Sequence, residues 1–219
     1  MNLDFGVLAD KWQYLLGGAY YTLLFTFVSA LFGFALGTIL SLFKISGIAP
    51  LRWFATAYTS VFRGTPLLLQ LAIIYYATPQ LLNYKISPLL AAGLAFGLNS
   101  AAYLSETIRA GIMAVDRGQR EAAIALGIPY RMMMKDIILP QAFKNILPAI
   151  VNECIALLKE SSLVSVIGVA DLMRRANIVS ADTFRFFEPL IFVGAIYYVL
   201  VLLLTALANR LERRLRRSD

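Results

Sequence analysis

The sequence predicts an all-α integral membrane protein with five transmembrane helices, the N-terminus outside and the C-terminus cytoplasmic, and a short polar helix between the third and fourth. Three observations carry this. The chain has 219 residues, 59% of them hydrophobic, against roughly 45–50% in ordinary soluble domains. The excess is gathered into uncharged runs at residues 12–43, 64–84, 86–105 and 189–209, each long enough for the ~20 residues that cross a bilayer. Lysine and arginine are shared unevenly between the connecting segments, which sets the orientation.

The helices are expected at 17–43, 56–78, 87–110, 138–158 and 187–209. The opening stretch MNLDFGVLADKWQYLLGG has no basic region ahead of its apolar run, so it does not read as a cleavable signal, and the first helix is expected to stay in the membrane. The second holds Gly64 and Pro66, which can open its backbone. The fourth is the least apolar, with Lys144, Asn152, Glu153 and, at its end, Lys159. An odd number of spans puts the termini on opposite sides. With the N-terminus outside, the inner segments hold Lys44, Arg52, Arg63, Arg109, Arg117, Arg120, Arg131, Lys135, Lys144, Arg210, Arg213, Arg214, Arg216 and Arg217. The outer ones hold only Lys11, Lys85, Lys159, Arg174, Arg175 and Arg185. The net charge of +7 is therefore mostly a topology signal. The tail NRLERRLRRSD reads as an anchor at the anionic inner leaflet; without interleaved aromatics it carries no nucleic-acid signature. No internal repeat or linker divides the chain, which reads as one transmembrane domain, 1–219.

Composition also excludes chemistry. There is no histidine and a single cysteine, Cys154, so no zinc cluster, no Ser-His-Asp or Cys-His arrangement and no intramolecular disulfide is available. GxxxxGK[ST] does not occur, so the chain lacks that nucleotide-binding loop. No metal or cofactor is expected on it.

The inner loop 111–137 contains VDRGQREAAIALGIPYRMMMKDIILP with its neighbours. Asp116 followed by Gln119 is a capping-box pattern. Glu121, Ala122, Ala123, Ala125 and Leu126 favour helix. Gly127 suits the left-handed position past a helix end, and Pro129 stops continuation. A helix of about three turns is marginal alone in water, so it needs something to pack against. On these residues alone it is either a surface connector or a docking element.

Glu121-Ala122-Ala123, Gly127, Ile137 and Leu139-Pro140 fit EAA-x3-G-x9-I-x-LP at every defined position. This resembles the EAA loop of permease subunits of ATP-binding cassette importers. FRGTPLLLQ, LNSAAYLSETIRAGI, LLKESSLVSVIGVADL and RLERRLRR are similar to the polar amino-acid uptake branch, the histidine/glutamine/arginine type, and the likeness runs from about residue 15 to the tail. The resemblance implies a multi-pass protein of a bacterial cytoplasmic membrane. Glu121, Ala122, Ala123 and Gly127 would form a coupling helix docked on a separate ATPase subunit. It implies a dimer with a second permease copy or similar chain, two cytoplasmic ATP-binding subunits that use ATP and Mg, and an extracytoplasmic amino-acid-binding protein. Replacing Gly127 by a β-branched residue is then expected to leave insertion intact and uncouple transport.

Ionisable groups within spans are costly and mark functional candidates. Glu153 and Glu160 share one face of the fourth helix, and Asn152 and Lys159 the neighbouring face, with Ser161 following. Asn99, Tyr103 and Glu106 share a face of the third. Arg63, Thr65 and Gln70 lie in the second. A zwitterionic amino acid needs an acceptor for its ammonium, for which Glu153 or Glu106 would serve, and donors for its carboxylate, for which Asn99, Gln70, Thr65 or Ser161 would serve. Glu153 tilts the choice toward arginine or histidine. Set against this, Asn99 and Tyr103 equally suit bonds between helices, Glu106 a pair with Arg109, and Lys159 and Glu160 solvation at the outer surface. Asp171, Arg174, Arg175, Asp182 and Arg185 read as a solvated face or a contact for the delivering protein. Met132–Met134 read as packing or padding, and Cys154 as packing.

Two other classes compete. An ion-coupled secondary carrier would work without an ATPase; the lack of duplicated halves speaks against it. A membrane-embedded enzyme would need a convergent catalytic pair. Glu153 and Glu160 lie ~10 Å apart along a helix axis, too far for a carboxylate dyad.

Overall fold

The computed structural model describes residues 3–216; Met1, Asn2 and 217–219, with Arg217 of the basic tail, lie outside the described residues. Every regular element among the described residues is helical. The longest, α1 (Trp12–Ile45), is inverted relative to a helix in water. Most of its buried stripe is small or short and polar, with Gly18, Thr22, Thr26, Ser29, Gly33, Gly37 and Ser41 beside only three large apolar side chains, Leu15, Phe25 and Leu40. Tyr20, Phe27, Leu31 and Leu42 face outward. In lipid, burying large apolar side chains gains little, so close backbone packing decides which face turns inward.

The partner of that stripe is α5 (Pro88–Met113). A Cβ added at Gly33 would stand 2.6 Å from Ser100 Oγ, and one at Gly37 3.0 Å from the Ala101 carbonyl. The register makes α1 and α5 parallel. α5 starts where Ser87 Oγ accepts from the Leu90 N–H at 3.3 Å, with Pro88 in the first turn.

Between them the chain runs through α2 (Ala49–Gly64), α3 (Leu67–Ala72), a π-helical turn (Ile73–Ala77) and α4 (Thr78–Leu82). The second helix expected at 56–78 is thus longer and broken. Thr65 precedes a proline and is extended, with φ −124° and ψ 146°; Pro66 cannot donate to the turn before it. Past α6 (Arg117–Ala125), helix resumes as α7 (Tyr130–Met132), a π-helical turn (Met133–Ile138) and α8 (Leu139–Glu160). Residues from Tyr130 onward, read as loop, are helical because Pro129 is an N-cap as well as a stop. Ile146 and Ala142 of α8 pack on α5 at Gly111, while Leu157 joins Phe96 in the opposite half, so α8 is antiparallel to α5.

The segment 160–186 also has structure: a 3₁₀ stretch (Ser161–Ile167), Gly168 at φ +86°, and α9 (Leu172–Thr183). α10 (Phe187–Arg216) closes the bundle, beginning beside the N-terminus, where Glu188 Oε1 accepts from the Asp4 N–H at 3.0 Å. Among the described residues three helices are long and apolar enough to cross a membrane: Trp12–Ile45, Pro88–Met113 and Phe187–Arg214. Of the other two expected spans, the second is broken at Pro66 into shorter pieces, and α8, in the place of the fourth, carries Lys144, Glu153, Lys159 and Glu160.

Candidate functional site

α6 is fixed at both ends. Asp116 Oδ1 accepts from the Gly118 N–H at 2.6 Å, and Gln119 enters through its backbone N–H, bonded to the Asp116 carbonyl at 3.1 Å. At the far end Gly127 has φ +68°. Its N–H bonds the Ile124 carbonyl at 2.9 Å, and the Ile128 N–H bonds the Ala123 carbonyl at 3.0 Å, which satisfies carbonyls that the helix end orphans. Nothing lies within 4 Å of where a Cβ at Gly127 would sit; the demand there is handedness, not space. Ala123 is buried among Ile108 and Ile112 from the end of α5, Val115 just past it, and Met133, Ile138 and Ala142 from the start of the α8 column. α6 therefore shares one apolar cluster with the ends of two long helices. Glu121 and Ala122 face outward, as do Ile124 and Leu126, 68% and 77% exposed. The last two were missed in the sequence; the signal was two large apolar residues on an otherwise polar loop helix.

The amides of the second and third helices converge on the break. In an unbroken helix the residue-66 N–H would bond the Phe62 carbonyl, and proline has none. Gln70 Nε2 donates to that carbonyl at 2.8 Å and to Thr65 Oγ1 at 2.8 Å. Asn99 Nδ2 reaches the same carbonyl at 3.1 Å and Gln70 Oε1 at 3.0 Å. Thr65 Oγ1 in turn donates to the Val61 carbonyl at 2.9 Å. Gln70 and Asn99 are buried. In this conformation these three residues repair the backbone, and Asn99 makes the interhelical bond its type suggested.

Glu106 is also engaged. It accepts from Lys44 Nζ and, at 2.9 Å, from Arg109 Nε. Lys44 has 5% of its side chain exposed and also bonds Thr59 Oγ1 at 2.7 Å, which joins α1, α2 and α5. The pair with Arg109 was legible from spacing; Lys44 was not. Tyr103, 40% exposed, lies under the Arg63 guanidinium at 5.3 Å.

On α8, Glu153 is half-buried, with Ser100 of α5 beside it. Asn152, Lys159 and Glu160 are exposed, and the last two border an open recess with Ala156, Ser162 and Leu163. Ser161 is buried and donates to the Leu158 carbonyl at 2.7 Å. Asp171, read as part of a solvated face, is instead buried. It is the N-cap of α9, accepting from the Arg174 N–H at 2.8 Å and the Met173 N–H at 3.2 Å, with Tyr197 of α10 donating to it at 3.3 Å. Burial pushes its carboxyl up to about 6.

Comparisons with known proteins agree with this architecture. The chain is 57% identical over 219 residues, all of both chains, to the arginine transport system permease protein ArtQ of Bacillus subtilis. It is 41% identical to the L-cystine transport system permease protein TcyB of the same organism, over 94% of this chain and 88% of that one. It matches a chain of a solved amino acid ABC transporter crystallised with histidines at a TM-score of 0.94 and 45% identity, covering 98% of this chain and 100% of that one. Residues 33–217 match the family described as binding-protein-dependent transport system inner membrane component, and to that family the chain belongs.

Proposed function

We infer that this permease subunit of an ATP-driven importer moves a cationic amino acid, arginine or histidine, across a bacterial cytoplasmic membrane. The observation that carries the coupling is α6, a capped helix with Glu121, Ala122, Ile124 and Leu126 turned outward and Ala123 built into the ends of α5 and the α8 column. The chain is not itself an enzyme; ATP with Mg is spent in a separate subunit.

The working assembly in this reading has the chain, one domain of residues 1–219, paired with a second copy or a similar permease. Two cytoplasmic ATP-binding subunits grip the α6 helices, and an extracytoplasmic amino-acid-binding protein delivers the solute. Five helical columns cross the bilayer, with the N-terminus outside and the C-terminus inside. The broken second column and the charged fourth are cavity-lining spans, since irregular backbone and ionisable groups are tolerated in a membrane where they face protein or a wet path. ATP-driven closure moves both α6 helices, and the attached ends of α5 and α8 swing the access from one side to the other.

Glu153 meets the ammonium or the cationic side chain. Asn152, Lys159 and Glu160 flank it, with Lys159 available to a carboxylate. Tyr103 and the break formed by Thr65, Gln70 and Asn99 shape the path opposite, while Glu106 and Ser161 hold their helices in place. The likeness to proteins named for arginine transport and crystallised with histidines supports the cationic choice.

The test is uptake of labelled arginine, histidine and glutamine into proteoliposomes holding the chain with its ATPase and binding protein. Arginine and histidine uptake should need ATP and both partners, and Glu153→Gln should lower it by an order of magnitude or more while sparing glutamine. Uptake without an ATPase would favour an ion-coupled carrier. ATP-driven uptake indifferent to Glu153→Gln would move selectivity to the binding protein.

A further inference from the structure

The lateral face of α10 carries a pattern that transport does not use. Val199, Leu203, Ala206, Arg210, Arg213 and Arg214 are all exposed, and their spacing keeps them on one face of the helix. Within little more than two turns that face changes from wholly apolar to triply cationic. Ala206 and the three arginines line a recess of about 450 Å³.

Three facts specify what would fill this recess. The apolar window of α10 is only 6% buried, so the stripe opens sideways, away from the bundle. From Val199 to Arg210 the helix rises about 17 Å, close to the ~15 Å hydrocarbon depth of one leaflet, so the arginines stand at headgroup level. A second copy meeting this stripe in a parallel two-fold contact would set each arginine cluster against its own like at the same depth, which is repulsive. The shape required is an apolar tail about one leaflet long ending in an anion. Guanidinium groups suit a phosphate diester in particular, because they offer paired donors and shed water more readily than an ammonium.

We propose that this face is a binding site for an anionic phospholipid, its phosphate seated among Arg210, Arg213 and Arg214 and an acyl chain lying along Leu203 and Val199. The inference rests on the chain being embedded in a bilayer and not on which solute it carries.

The test uses the permease assembled with its ATPase subunits in bilayers of equal phosphatidylglycerol and phosphatidylcholine. Retained lipid is counted by native mass spectrometry after gentle extraction. The parent should hold phosphatidylglycerol in preference, with the preference fading as salt rises. R210Q/R213Q/R214Q should weaken that retention on the order of a hundredfold, at roughly the surface contribution of each basic residue. Equal retention of both lipids by the parent would overturn the proposal, and this arm stands even where the variant does not assemble. So would displacement of the lipid by millimolar inorganic phosphate, which would mark a free-phosphate site. Loss of the ATPase subunits from the variant with lipid retention unchanged would assign the face to an acidic protein surface instead. Amino-acid uptake enters none of these readouts, so the transport reading and the lipid site stand or fall separately.

Discussion

Gly127 shows how much one backbone angle carries. Its φ of +68° costs a side-chain-bearing residue about 1–2 kcal/mol, and more when Cβ is branched. Gly127→Val should leave the protein in the membrane, fray the end of α6, and cut both ATPase-subunit capture and ATP-driven uptake. Gly127→Asn should do much less, because asparagine tolerates that region. This residue was legible in the sequence: glycine followed by proline at Pro129, after a run of helix formers, has few other readings. Gln70 and Asn99 were legible as polar groups in apolar helices but not in their role. Their acceptor is a carbonyl left over by Pro66, and no local pattern says which side chain of a neighbouring helix will supply the missing donor.

At the scale of elements, that repair makes the second column two rods held at a set angle. Gln70→Ala strips one donor from the Phe62 carbonyl and should cost about 1–3 kcal/mol of stability in thermal unfolding. Pro66→Ala in the same chain should restore much of that by returning the N–H, while uptake stays low because the joint is gone. A similar recovery of uptake would show that the break serves folding alone. α9 offers a second check. Asp171 is a cap whose carboxyl is raised to about 6 by burial, against a usual value near 3.8. The folded protein then holds this proton at a pH where the unfolded chain has lost it. Stability relative to Asp171→Asn should fall as pH rises from about 4 to about 6, by on the order of 3 kcal/mol, and be flat above. Equal slopes for the two proteins would mean the carboxyl is not perturbed. The helices themselves were largely readable, because lipid demands long apolar runs. Their ends and the structure within 160–186 were not, since Pro129 both stops α6 and starts α7, and α9 is held partly by contacts with α1 that lie about 150 residues away, such as the Leu172 N–H on Thr22 Oγ1.

For the whole molecule, the proposed coupling requires that motion at α6 reach the bundle through the cluster around Ala123. Ala123→Leu adds volume where the side chain is buried to 1% exposure, at a cost of about 1–3 kcal/mol. It should loosen α6 from α5 and the α8 column while the outward residues still meet the ATPase. ATPase subunits should copurify normally, ATP hydrolysis should persist, and uptake should drop several-fold. Unchanged uptake per ATP would show that force passes by another route.

The ion pair between Lys44 and Glu106 also bears on how the protein is made. The two residues are 62 positions apart, so at roughly 5–20 residues per second the ribosome delivers the lysine about 3–12 s before its carboxylate. Through that interval the Lys44 ammonium lacks its carboxylate, and the long lysine stem lets it stay in the headgroup region. Only once α5 is made can the contact with Glu106 form. The tie between the first helix and α5 is thus made late, and a ribosome stalled between the two codons would leave α1 without it.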